Sequence, residues 1–133
     1  MSAKFPAFPF GVNYAWSHYS TTAQNDAVPP SYVAADLELL TANFNAIRTY
    51  SVHPWYTPTV LQYALMFDLD VVIEVAWVHG STTANDQQIA LFKYIMQQYP
   101  WLQAAVKYIF IGHENMPATV ADSNDLLGAV TDM

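Results

Sequence analysis

The chain has 133 residues and a formal net charge of −7; 53% of it is hydrophobic and only 11% is charged. Its basic residues, Lys4, Arg48, Lys93 and Lys107, do not cluster, which argues against a nucleic-acid backbone or an anionic membrane surface as partner. There is no cysteine, so disulfides, thiolate metal sites and cysteine nucleophiles are excluded.

The charged fraction is well below the roughly 25% of an average soluble domain, leaving little charge to cover an isolated surface. That composition points to extensive subunit contact. No segment approaches the roughly 20 apolar residues of a membrane span. The start, Met1 to Pro6, has no apolar run of signal-peptide length, so either the protein stays where it is made or a signal was removed before this numbering.

Two periodicities alternate four times along the chain. Phe10–Ala15 reads as a first strand, followed by a polar stretch, Ser17 to Asp26, that Pro29-Pro30 stops. Val33, Leu37, Leu40 and Phe44 then recur at helical spacing, with Ser31 available as N-cap. Ala46–Val52, rich in β-branched residues, is the second strand. Thr57-Pro58 places a cap residue before a proline at the first helical position, and Val60, Leu61, Ala64, Leu65 and Phe67 form that helix's apolar face.

Asp70–Val78 is almost continuously apolar, the pattern of a parallel strand covered on both faces. Thr83–Gln98 forms the third helix through Ile89, Phe92, Ile95, Met96 and Tyr99, with Pro100 beyond its end. Ile109–Glu114 is the fourth strand, and Ala118–Met133 begins a fourth helix through Leu126, Leu127 and Val130. No linker or low-complexity run divides the chain, so residues 1–133 are expected to form a single domain. The alternation implies an α/β fold of parallel strands with right-handed crossovers. Periodicity leaves two architectures open: an open sheet with helices on both faces, or half of a (β/α)8 TIM barrel with every helix on one face.

The strand ends carry a resemblance. Gly-Val-Asn-Tyr at 11–14, Asp-Leu-Glu-Leu-Leu at 36–40, Ala-Ile-Arg-Thr-Tyr-Ser at 46–51, Ala-Trp at 76–77 and Ile-Gly-His-Glu-Asn at 111–115 occur in this order. Over roughly residues 10–130 the chain resembles glycoside hydrolase family 17, the β-1,3-glucanase and glucanosyltransferase group. The resemblance implies a retaining glycosidase barrel, of which this chain would be the first four βα units. A complete barrel takes roughly 250 residues.

By that resemblance Glu114 is the acid/base glutamate ending the fourth strand, and Tyr14, Tyr50 and Trp77 are sugar contacts. His113 stands where the family carries an asparagine that holds the sugar. The family's nucleophile belongs to a seventh strand, absent from these 133 residues. Retaining hydrolysis needs two carboxyl groups about 5–5.5 Å apart, so the isolated chain is expected to be inactive. Glu74, the only other strand glutamate, is better explained as a buried partner of Arg48, the single arginine, than as a catalyst.

In parallel α/β barrels the chemistry sits at the C-terminal strand ends. Trp16, His18, Tyr19, Tyr50, His53, Trp55, Tyr56, Trp77, His79 and His113 all map there. Such aromatics suit sugar stacking, and they equally suit a subunit interface. None of the histidines has the short-range spacing of a zinc motif, and neither a metal nor another cofactor is expected. The resulting expectation is a β-glucan-active or glucan-binding half-barrel, with a self-assembling structural protein, dimer or filament, as the alternative. The family's usual setting is extracellular or cell wall.

Overall fold

The computed structural model describes residues 11–15, 29–76, 78 and 80–111. In chain order they form β1 (Gly11–Asn13), α1 (Pro30–Leu40), β2 (Ala46–Arg48), α2 (Tyr56–Met66), β3 (Asp70–Val75), α3 (Thr82–Gln98), a 3-10 helix (Pro100–Ala105) and β4 (Val106–Ile111). The strands make one parallel sheet in the order β1-β2-β3-β4.

That order never reverses. With right-handed crossovers throughout, each connection returns over the same face of the sheet. The burial pattern agrees. Ile47, Val71, Ile73 and Val75 are buried in one cluster with Val33 and Leu37 of α1, Val60, Leu61 and Ala64 of α2, and Ile89, Phe92 and Ile95 of α3. The strand residues of the opposite parity, Asn13, Arg48, Val72, Tyr108 and Phe110, face away from these helices. Among the described residues the helices therefore form one layer, and the two-sided open sheet is not formed. The fold is α/β with four parallel strands, compatible with half of a (β/α)8 barrel.

The elements follow the hydrophobic periods, and the boundaries shift for local reasons. The first helix was expected to use Ser31 as cap; instead Pro29 is the N-cap residue, with Pro30 at the first helical position and no side-chain cap. The second helix starts at Tyr56, ahead of the expected Thr57-Pro58, because the end groups are satisfied differently. His53 Nδ1 accepts from the backbone N–H of Trp55 at 3.2 Å and of Tyr56 at 3.3 Å. The Thr57 hydroxyl accepts from the His53 N–H at 2.8 Å. The third helix is capped by Ser81, whose hydroxyl accepts from the Ala84 N–H at 3.4 Å.

The strands are shorter than their apolar runs at the C-terminal end. β2 ends at Arg48, although Thr49 still donates to the Val72 carbonyl at 3.0 Å. β4 begins at Val106, earlier than expected, because the 3-10 helix after Pro100 delivers the chain directly to the sheet. A register shift in the pairing between Val71 and Val72 lets Ile73, Glu74 and Val75 align with Ile109, Phe110 and Ile111. The expected fourth helix lies outside the described residues.

Candidate functional site

Two polar side chains on the first turns of α3 shape the C-terminal rim. Gln88 Oε1 accepts from the Val52 N–H at 3.0 Å and the Ala76 N–H at 3.3 Å, while its amide nitrogen donates to the Val52 carbonyl at 3.0 Å. One side chain thus ties the segment after β2 to the segment after β3. Asn85, almost wholly buried, pairs with both backbone groups of Val78: its Oδ1 accepts at 2.7 Å and its Nδ2 donates at 3.0 Å. Neither residue was singled out from the sequence. The signal was present, since Asn85 and Gln88 sit at helical spacing in the same stripe as Ile89 and Phe92. A polar residue inside an apolar stripe needs a partner, and here the rim backbone is that partner.

The face of the sheet opposite the helices carries the charge. Arg48 Nη2 pairs with Glu74 Oε2; the side chain of Glu74 is 4% exposed and that of Arg48 27%. The guanidinium also lies between two rings, 5.9 Å from the centroid of Tyr50 and 5.6 Å from that of Phe110. Both distances are within cation–π range. A hollow of about 370 Å³ lined by Gly11, Asn13, Ala46, Arg48 and Val72 continues along this face. Glu74 is therefore held in an ion pair, as the sequence suggested.

The sugar contacts expected by resemblance separate. Tyr50 is 40% exposed at the end of β2, with its ring beside Arg48. Tyr14 is 5% exposed, and its hydroxyl donates to Asp36 Oδ2 of α1 at 2.8 Å. Its alternation after Val12 and Asn13 turns it to the helix layer, where no ring face is left for stacking. Trp77, His113 and Glu114 lie outside the described residues, as do Trp16, His18, Tyr19 and His79. They follow β1, β3 and β4 in sequence.

His53 sits where β2 passes into α2, with its ring 4.8 Å from Tyr56 and 5.7 Å from Trp55 between centroids. Burial lowers its pKa below the ordinary value of 6.5. The two N–H groups aimed at Nδ1 require that nitrogen to be unprotonated. Its role is therefore to cap and aim the rim loop that carries Trp55. Among the described residues no three His, Asp or Glu side chains converge as a metal site, and no helix is long and apolar enough to cross a membrane.

No family model matches the chain, and no curated protein or solved structure matches it either.

Proposed function

We propose that the chain is half of a (β/α)8 barrel of the β-1,3-glucan-active type, which uses its C-terminal rim to bind a β-glucan. The observation that carries this reading is the one-sided helix layer over an unreversed parallel sheet. Such a sheet brings the ends of all its strands to one edge, and Tyr50 stands exposed there beside Arg48. A pyranose presents flat C–H faces and a rim of hydroxyls, which suits an exposed ring next to fixed polar groups. Trp77 and His113 follow β3 and β4 and would extend the same contact.

In this reading Glu114 is the proton donor, and the attacking carboxylate is none of the described strand residues. Glu74 does not replace it, because its carboxylate is already committed to Arg48. The isolated chain then binds without hydrolysing. Titration with laminarin-type oligosaccharides tests it: Tyr50→Ala and Trp77→Ala each weaken binding. Unchanged binding in the double variant would place the ligand elsewhere. A robust retaining hydrolysis that vanishes in Glu114→Gln would show that a second carboxylate is supplied after all.

A second reading is favoured by β4. Tyr108 and Phe110, on the face away from the helices, are 59% and 47% exposed. β1 and β4 are also the edges of the described sheet. A self-assembling half-barrel, completed by further copies of itself, would cover both. The two readings differ in the second carboxylate, since a barrel closed by a second copy brings only further copies of the strand glutamates Glu74 and Glu114.

A further inference from the structure

On the outside of the helix layer, across the sheet from Arg48, α2 and the 3-10 helix enclose a cleft of about 370 Å³. Its walls include Thr59, Gln62, Tyr63, Met66, Tyr99 and Trp101, and among the described residues no charged side chain lines it. The rim and the open face have no part in it. Trp101 is 57% exposed and Tyr99 is 39% exposed. Leaving such rings in water is costly unless something covers them.

The rings are also held in place. Trp101 and Tyr99 meet edge to face, with centroids 5.6 Å apart and planes at 81°. The indole Nε1–H donates to Gln62 Oε1 at 3.2 Å. That bond engages the amide through its oxygen, so the amide nitrogen is the group that can donate to a ligand. Preorganised groups lose less entropy on binding than mobile ones. The cleft thus offers a flat apolar platform, an oriented amide at the platform's edge, and the Thr59 hydroxyl, whose own proton goes to the Trp55 carbonyl and which accepts on its free side. A cation or an anion would find no opposite charge here. A neutral ligand with one apolar face and a ring of hydroxyls would find each of its surfaces matched.

We infer that this cleft is a second carbohydrate site, taking a neutral pyranose saccharide with one sugar face on Trp101 and its hydroxyls on Gln62. The inference shares its ligand class with the proposed rim but stands on different residues, so either can fail without the other. Two sites on separate surfaces of one chain would let it hold an insoluble glucan while the rim engages a single strand.

The test is an NMR titration of the full chain, following the four tryptophan indole N–H signals, with laminarihexaose and cellohexaose as probes. The Trp101 indole should shift saturably with at least one probe. In Trp101→Ala the affinity measured at the neighbouring Gln62 side-chain amide should fall roughly tenfold. Tyr50→Ala should leave this site unchanged while weakening the rim. Gln62→Leu supplies an independent variant should Trp101→Ala unfold. The inference is overturned if the Trp101 signal stays still with both probes at millimolar concentration. It is also overturned if that signal moves only on dilution without sugar, which would make the patch a contact between copies. Loss of the Tyr50 response alone would defeat the rim reading and leave this site standing.

Discussion

Arg48 and Glu74 show what a lone arginine facing a strand glutamate means in physical terms. A carboxylate with 4% exposure cannot remain charged in the sheet without a partner, and one strand over is the only arginine in the chain. That much was legible in the sequence, because the two residues share a parity on adjacent parallel strands. The rings of Tyr50 and Phe110 flanking the guanidinium were not legible, since the register that brings β4 alongside depends on the shift at Val71–Val72. Arg48→Met should cost about 3 kcal/mol in urea unfolding, because it strands Glu74. Arg48→Met/Glu74→Leu should recover most of that loss, and a double variant no more stable than the single one would show that the pair matters through its rings instead. His53 supplies a pH dependence. Burial lowers its folded-state pKa, so the unfolded chain takes up the proton first as pH falls. Stability is therefore fully present above about pH 6.5 and declines as pH drops through 6.5 toward the lowered folded value. His53→Asn keeps a capping acceptor without the titration, and it should flatten thermal stability over that window. An unaltered profile would assign the acid sensitivity to another group.

At the level of elements, the hydrophobic period identified every described α-helix and strand but not the 3-10 helix Pro100–Ala105, while the caps were misplaced where side chains act at a distance in sequence. Thr57-Pro58 has the local pattern of a helix start, but His53 takes the N–H groups of Trp55 and Tyr56 and moves the start forward. The other end of α2 carries no glycine or proline to mark it in the sequence. Asp68 has φ 59°, the Leu69 N–H donates to the Ala64 carbonyl at 2.8 Å, and the Asp68 N–H donates to the Leu65 carbonyl at 3.3 Å. That is a left-handed helix stop with an aspartate where glycine is usual, and with a negative charge at the negative end of the helix. Asp68→Gly should therefore stabilise the chain by about 0.5–1 kcal/mol, read from the urea midpoint at constant slope. A lower midpoint would mean that the carboxylate makes a compensating contact. Gln88 makes the opposite case, since its one side chain satisfies three backbone groups on two rim segments. Gln88→Leu should destabilise by about 2–3 kcal/mol and should loosen the proposed saccharide binding at Tyr50 without touching any ring.

For the whole molecule, strand order decides more than any single motif. The alternation of periods predicted parallel strands, but it left open which faces the helices cover, because both architectures bury the same apolar runs. The unreversed order β1-β2-β3-β4 resolves that for the described residues and leaves one sheet face without a helix layer. On that face Tyr108 and Phe110 are 59% and 47% exposed. Covering two such rings removes apolar area worth a few kcal/mol at about 25 cal/mol per Å². The edge strands add unpaired backbone groups that invite another chain. A second copy meets both needs if β4 of each chain pairs with β1 of the other, since eight strands then close and no edge remains. If the rotation between copies does not close, the same surfaces propagate a filament. The chain should accordingly scatter light as a dimer or larger at micromolar concentration. Tyr108→Lys should shift it toward monomer while the far-ultraviolet circular dichroism is kept, because a charge at that position must be desolvated on closure. A folded wild-type monomer, monodisperse at micromolar concentration, would defeat self-completion and with it the reading of this sheet as half of a barrel.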